Sequence, residues 1–189
     1  MSYIFWGFFL LVINFSLDLP HSTPQIPAYF DLFPDFLGYA LIALGFGQLD
    51  DLTGRRSSTH LLGWLVAILS FVWTMLNAMG RYTTLTPLSI LVFLGFTGLH
   101  LLIAWLIVRK VAGLELRSAR DFYSRPLLLA WFVELLGIAS ASVLRWIVPQ
   151  LASVTNLIGI VAGLLYLINL WKAKDQIQIY YDAPPLYEK

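Results

Sequence analysis

Residues 87–108 form an apolar run without a single Lys, Arg, Asp or Glu, and the runs 1–17, 34–49, 61–79, 126–149 and 151–171 carry few or none. An α-helix needs about 20 apolar residues to cross the ~30 Å hydrocarbon layer of a bilayer. Any such segment must be helical, because lipid offers no partner to a free backbone N–H or C=O. Six crossings in 189 residues leave short loops and no room for a soluble domain. Only 12% of the chain is charged, where a soluble domain carries about 25%. Twelve Lys and Arg against eleven Asp and Glu form no basic surface for nucleic acid. The absence of cysteine excludes disulfides and thiolate chemistry. The sequence therefore predicts an all-α polytopic membrane protein, a bundle of six transmembrane helices at residues 1–171 with a tail at 172–189.

Orientation follows from the cations. Arg55, Arg56, Arg109, Lys110, Arg117, Arg120, Arg125, Lys172, Lys174 and Lys189 fall on one side, and only Arg81 and Arg145 on the other. Positive charge stays inside, so both termini are expected to be cytoplasmic, in the plasma membrane. The N-terminal run lacks the basic start and small-residue cleavage site of a secretory signal and reads as a retained first helix. Trp6, Tyr82, Trp146 and Trp171 fit interfacial anchors. Residues 109–125 read as a basic inner loop, a surface for headgroups or for a protein partner. Pro34, Pro87 and Pro126 mark first turns, and Pro149 closes the fifth span.

Ionisable side chains in hydrocarbon cost about 2.5–3.5 kcal/mol each and need a partner or a task. Glu134 and His100 each lie about eight residues, or ~12 Å, inside the basic end of consecutive antiparallel spans, a spacing that allows them to pair. Glu134, Gly137, Ala141 and Arg145 share one stripe, expected to face the bundle interior. Gly159 and Gly163 on the last span and Gly137 with Ala141 on the fifth form small faces for close helix approach. On the outer side, Asn14 and Asp18 share a face of the first helix. The loop 18–33, with His21, leads through Asp31 to Asp35 at a helix start. These acids either pair with Arg81 or Arg145 or bind a cation or cationic solute. Asp18, Asp31, Asp35, Arg145, Glu134 and His100 are thus the candidate ligand-binding residues. The segments beginning at Pro34 and Thr155 align without gaps as a weak internal repeat, Gly38 on Gly159.

No glycine-rich phosphate loop, HExxH or GxSxG is present, so no catalytic residue, cofactor or metal site is expected. The tail ends in Pro184-Pro185-Leu186-Tyr187, which fits the PPxY pattern of WW-domain ligands. Function divides three ways: a non-enzymatic binder or transporter of a small solute, a structural or assembly protein whose polar residues pin helices, or an outer-leaflet lipid-modifying enzyme.

The run Asp31-Leu32-Phe33-Pro34-Asp35-Phe36-Leu37-Gly38-Tyr39-Ala40-Leu41 resembles a segment of small polytopic membrane proteins of Gram-positive bacteria. That resemblance implies a bacterial plasma-membrane protein and supplies no activity. In architecture alone the chain is similar to the substrate-capture subunits of energy-coupling-factor vitamin transporters. The likeness implies a first outward loop that gates a pocket. Those subunits usually dock through alanine-rich faces on their first helix, and Tyr3 to Phe15 holds no alanine.

The cysteine-free background makes the topology directly testable. In intact cells a membrane-impermeant maleimide should label T84C but not S118C, and the reverse pattern overturns the orientation.

Overall fold

The computed structural model describes residues 1–12, 16–18, 29–31, 35–53, 57–78 and 87–182. Among them the chain forms α1 (Ser2–Val12), β1 (Ser16–Asp18), β2 (Tyr29–Asp31), α2 (Asp35–Thr53), α3 (Thr59–Ala78), α4 (Pro87–Ser118), α5 (Ser124–Ile147) and α6 (Pro149–Asp182). Apart from the short antiparallel ribbon β1–β2, the regular elements of the described residues are all helices.

Two helices, α3 and α6, carry large apolar side chains on their exposed faces, unlike the helices of a water-soluble protein. On α3 the exposed stripe is large and apolar (Leu61, Trp64, Leu65, Ile68, Leu69, Val72), while the buried stripe holds Gly63, Val66, Ala67 and Ser70. On α6 Leu151, Val154, Leu157, Val161, Leu164 and Ile168 are exposed, and Ala152, Gly159, Ala162 and Ala173 are buried together with Tyr166, Leu167, Leu170 and Ile177. Both patterns follow the helical period, so each helix turns its small residues inward. Such a surface is at home in lipid, where small residues drive helix contact. Three helices hold stretches long and apolar enough to cross a membrane: Thr59–Leu76, Ser124–Ala141 and Gln150–Tyr181. The protein is membrane-associated. Helix α1 is apolar but has 11 residues.

Contacts divide the chain within α4 into two compact units, Ser2–Leu106 and Ile107–Lys189 together with Met1. In the first, α1 packs on α2 and α2 on α3, and β2 touches α3. The approach of α1 to α2 is close enough that a Cβ on Gly7 would stand 2.5 Å from the Gly38 carbonyl oxygen, and Gly45 rests on Ile4. Phe36 and Phe71 meet edge to face at 5.1 Å across α2 and α3. Asp50, buried near the end of α2, accepts the Ser57 N–H at 3.1 Å and the Ser57 hydroxyl at 3.0 Å, joining α2 to the start of α3. In the second unit α5 packs on α6. There a Cβ on Gly137 would lie 2.8 Å from the Gly159 Cα. The small faces expected on these two helices therefore face each other.

The helices do not end where the apolar runs end. Helix α1 stops at Val12, and Ser16–Asp18 is strand rather than the end of a first span, so Asp18 shares no helix face with position 14. Residues 109–118, expected as loop, continue α4, leaving only 119–123 between α4 and α5. Helix α6 continues through Asp182 into what was expected as tail. Hydropathy marks where oil gives way to water, and a helix once propagating has no reason to stop there. It stops instead at Ala119, whose φ of 52° is the left-handed conformation that ends helices. Pro149 opens α6 rather than closing α5, and Val148 alone separates the two. The Val148 N–H donates to the Leu144 carbonyl at 2.7 Å, and the Val148 carbonyl accepts the Leu151 N–H at 3.0 Å.

Substituting Gly137→Leu should lower the stability of the detergent-solubilised protein by about 1–3 kcal/mol in thermal unfolding. Gly47→Ala, where nothing lies within 4 Å of a new Cβ, should not lower it.

Candidate functional site

Glu134 is a buried carboxyl of the second unit. It stands within the membrane-length stretch Ser124–Ala141 of α5 and is 7% exposed. Its position on α5 follows from the antiparallel meeting of the small faces: with Gly137 against Gly159, the next turn of α5 comes opposite Gly163. A Cβ on Gly163 would lie 3.4 Å from Glu134 Oε1, so the glycine provides the notch in which the carboxylate sits. Tyr166, three residues further along the same face of α6, is 1% exposed. Neighbouring hydroxyls are absorbed by their own helices: Ser140 donates to the Leu136 carbonyl at 2.6 Å and Thr155 to the Ala152 carbonyl at 3.1 Å. Among the described residues, no buried side-chain nitrogen or oxygen lacks a hydrogen-bond partner. A carboxyl beside a phenol in a low-dielectric seam can hold a proton, a small cation or a hydrogen-bond donor.

The basic end of this unit is organised around residues 119–123. Glu115 reaches from α4 to the start of α5, where Oε1 accepts the N–H groups of Phe122 at 2.7 Å and Ser124 at 2.8 Å, and Oε2 accepts the Ser124 hydroxyl. This places a negative charge on the positive end of the α5 dipole and satisfies groups the helix cannot. Tyr123, in the left-handed region at φ 65°, caps α5 with its backbone while its N–H donates to Asp121 at 2.8 Å. The turn is tied to α6 through rings: Phe122 meets Tyr180 edge to face at 5.8 Å, Arg120 lies over Tyr180 at 5.2 Å and Lys172 over Tyr123 at 5.7 Å. Lys174 lies over Trp171 at 3.7 Å and pairs with Asp175 at 3.3 Å. Burial first, and then the charge of Lys174, holds the Met1 amine below its ordinary pKa.

The other candidate residues are distributed as follows. The ribbon register sets Asp31 opposite Ser16 and Asp18 opposite Tyr29. Asp35 follows in the first turn of α2, half-buried. The register thus puts Asp18 and Asp31 at opposite ends of the paired stretch, and Asp35 opens α2. His100 lies against the Phe8 ring at 5.4 Å in the first unit, whereas Glu134 belongs to the second. Arg145 stands on α5 two residues before its end. His21, Arg81 and Pro184–Tyr187 lie outside the described residues. Among the described residues, no three His, Asp or Glu side chains converge in a way that could hold a metal ion.

Comparison with family models, curated proteins and solved structures returned no match. The reading of the site rests on its chemistry alone.

Sequence reasoning missed Tyr166, Glu115 and Asp50. Antiparallel alignment of the two small faces would have found Tyr166. Glu115 carries no local signal, since it caps a helix beginning nine residues later. Glu115→Ala removes the acceptor of two N–H groups and one hydroxyl and should destabilise the protein by about 1–3 kcal/mol. Glu115→Gln should fall between that variant and wild type, both read by thermal unfolding in detergent.

Proposed function

We propose that the chain is a six-span plasma-membrane protein with both termini cytoplasmic that binds or moves a small solute without chemical conversion. The observation that carries this reading is the carboxyl of Glu134, enclosed with the Tyr166 phenol between two helices whose outer faces are apolar. An ionisable group at that depth is expensive, and such groups mark solute and proton pathways. Asp18, Asp31 and Asp35 would be the outward ligand-binding residues of the first unit, with Asp35 in the first turn of α2, and Arg145 that of the second. His100 provides a second polar station in the first unit. The division of cations, ten against two, supports the orientation.

A second reading, a structural or assembly protein, is favoured by the closeness of Gly137 to Gly159 and by the use of Asp50 and Glu115 as helix caps. The Glu134→Gln variant separates the two. Wild-type protein in detergent is screened by thermal shift against protons, alkali and alkaline-earth cations, amines and amino acids. In the solute reading E134Q unfolds at the wild-type temperature without additive and loses the shift produced by the stabilising compound. If E134Q itself unfolds at markedly lower temperature and no compound shifts the wild type, the carboxyl is a structural clip. An assembly role then predicts that removing residues 183–189, beyond the end of α6, abolishes a complex with a soluble partner.

A further inference from the structure

Taking the solute reading of Glu134 as its ground, we propose that the solute bound and released at this carboxyl is a proton. Uptake forms one O–H bond on a carboxylate oxygen with a proton drawn from water, and release returns it. The site changes only between carboxylate and carboxylic acid.

Room is the first constraint. Glu134 is 7% exposed. A Cβ on Gly163 would stand 3.4 Å from Oε1, so a single methyl group placed there already meets the carboxyl. Toward the Arg145 end the seam narrows further, since a Cβ on Gly137 would stand 2.8 Å from the Gly159 Cα. An amine or an amino acid is larger than a methyl group and would have to part α5 from α6 along the contact that holds this unit together. A proton needs no such opening.

The supply of ligands is the second constraint. Calcium takes about 6–8 oxygen ligands and magnesium demands a near-ideal octahedron. An alkali ion in a dry site must likewise replace its water with protein oxygens. Within six residues of Glu134 on α5 and of Gly163 on α6, the other oxygen-bearing side chains are Ser140, Tyr166 and Asn169. Ser140 is turned back onto the Leu136 carbonyl of its own helix. A carboxyl, a phenol and an amide fall short of either shell. Among the described residues, no three His, Asp or Glu side chains gather where they could hold a metal ion.

A proton asks only for a neighbour that suits both forms of the acid. Tyr166 stands one turn from Gly163 on the same face of α6 and is 1% exposed. A phenol donates to a carboxylate and accepts from a carboxylic acid, so it serves the site before and after uptake. The next charged groups on these two helices are Arg125 and Arg145, nine and eleven residues from Glu134 on α5, and Lys172, nine past Gly163 on α6. Each is at least about 13 Å away along its helix. The part of α4 within this unit carries Arg109, Lys110, Glu115 and Arg117.

The test is infrared difference spectroscopy of the full-length protein in detergent, between mildly acidic and mildly alkaline buffer, with protons as the only ligand varied. Wild type should show a carboxylic acid C=O band that appears on acidification and shifts to lower frequency in heavy water. Glu134→Gln should lose it, while the remaining carboxyls contribute equally to both spectra. Gly163→Ala keeps the carboxyl but sets a methyl group 3.4 Å from Oε1, and should shift the band without removing it. A wild-type spectrum that matches folded E134Q overturns the proposal. Where E134Q fails to fold, a band that G163A leaves unmoved overturns it. The solute reading is judged separately by thermal shift. With the band absent, a cation, amine or amino acid that stabilises wild type and not E134Q preserves that reading with another solute, and the lack of any such compound ends both.

Discussion

Hydrocarbon supplies no hydrogen bonds, and the structure is organised around that lack. Each backbone group must be satisfied within its own helix, and the polar side chains are satisfied by neighbouring backbone or by one another. Association between helices then cannot draw on expulsion of water and depends on close contact of backbones. Gly7 with Gly38 and Gly137 with Gly159 supply that contact. Large apolar side chains lie outside as well as inside, as the exposed faces of α3 and α6 show beside the buried Phe8, Phe46 and Leu170.

How much of this was legible in the sequence depends on the kind of information involved. The helical class and the facing of the small residues were legible, because glycine and alanine at helical spacing can serve few other ends in an apolar run. The limits of the helices were not. Arg109 and Lys110 interrupt the hydropathy of α4 without interrupting its hydrogen bonding, and Lys172 does the same in α6. Ser16–Asp18 was expected to close a helix because strand and helix are equally apolar there, and pairing with Tyr29–Asp31 is a contact between distant residues that no local pattern announces.

The acids show the same division. Glu134 was legible as an anomaly inside an apolar run, but its surroundings depend on which residue of α6 comes opposite, and that follows from the register of the two glycines. Glu115 and Asp50 were hidden because acids near helix ends are ordinary. Only the folded chain reveals that each bridges two helices, Glu115 by capping α5 and Asp50 by holding Ser57, whose hydroxyl also bonds Thr59 at 2.7 Å and whose carbonyl meets His60 at 3.1 Å. In both cases a carboxylate does the work that a longer loop would otherwise have to do.

The single residue between α5 and α6 bears on how the protein comes to be made. With Val148 as the whole connection, the partners that meet along this seam are close in sequence, and the entropy of bringing them together is small. Gly159 follows Gly137 by 22 residues of synthesis. The pair can therefore enter the bilayer already folded against itself, with Glu134 shielded from lipid before the rest of α6 has left the ribosome.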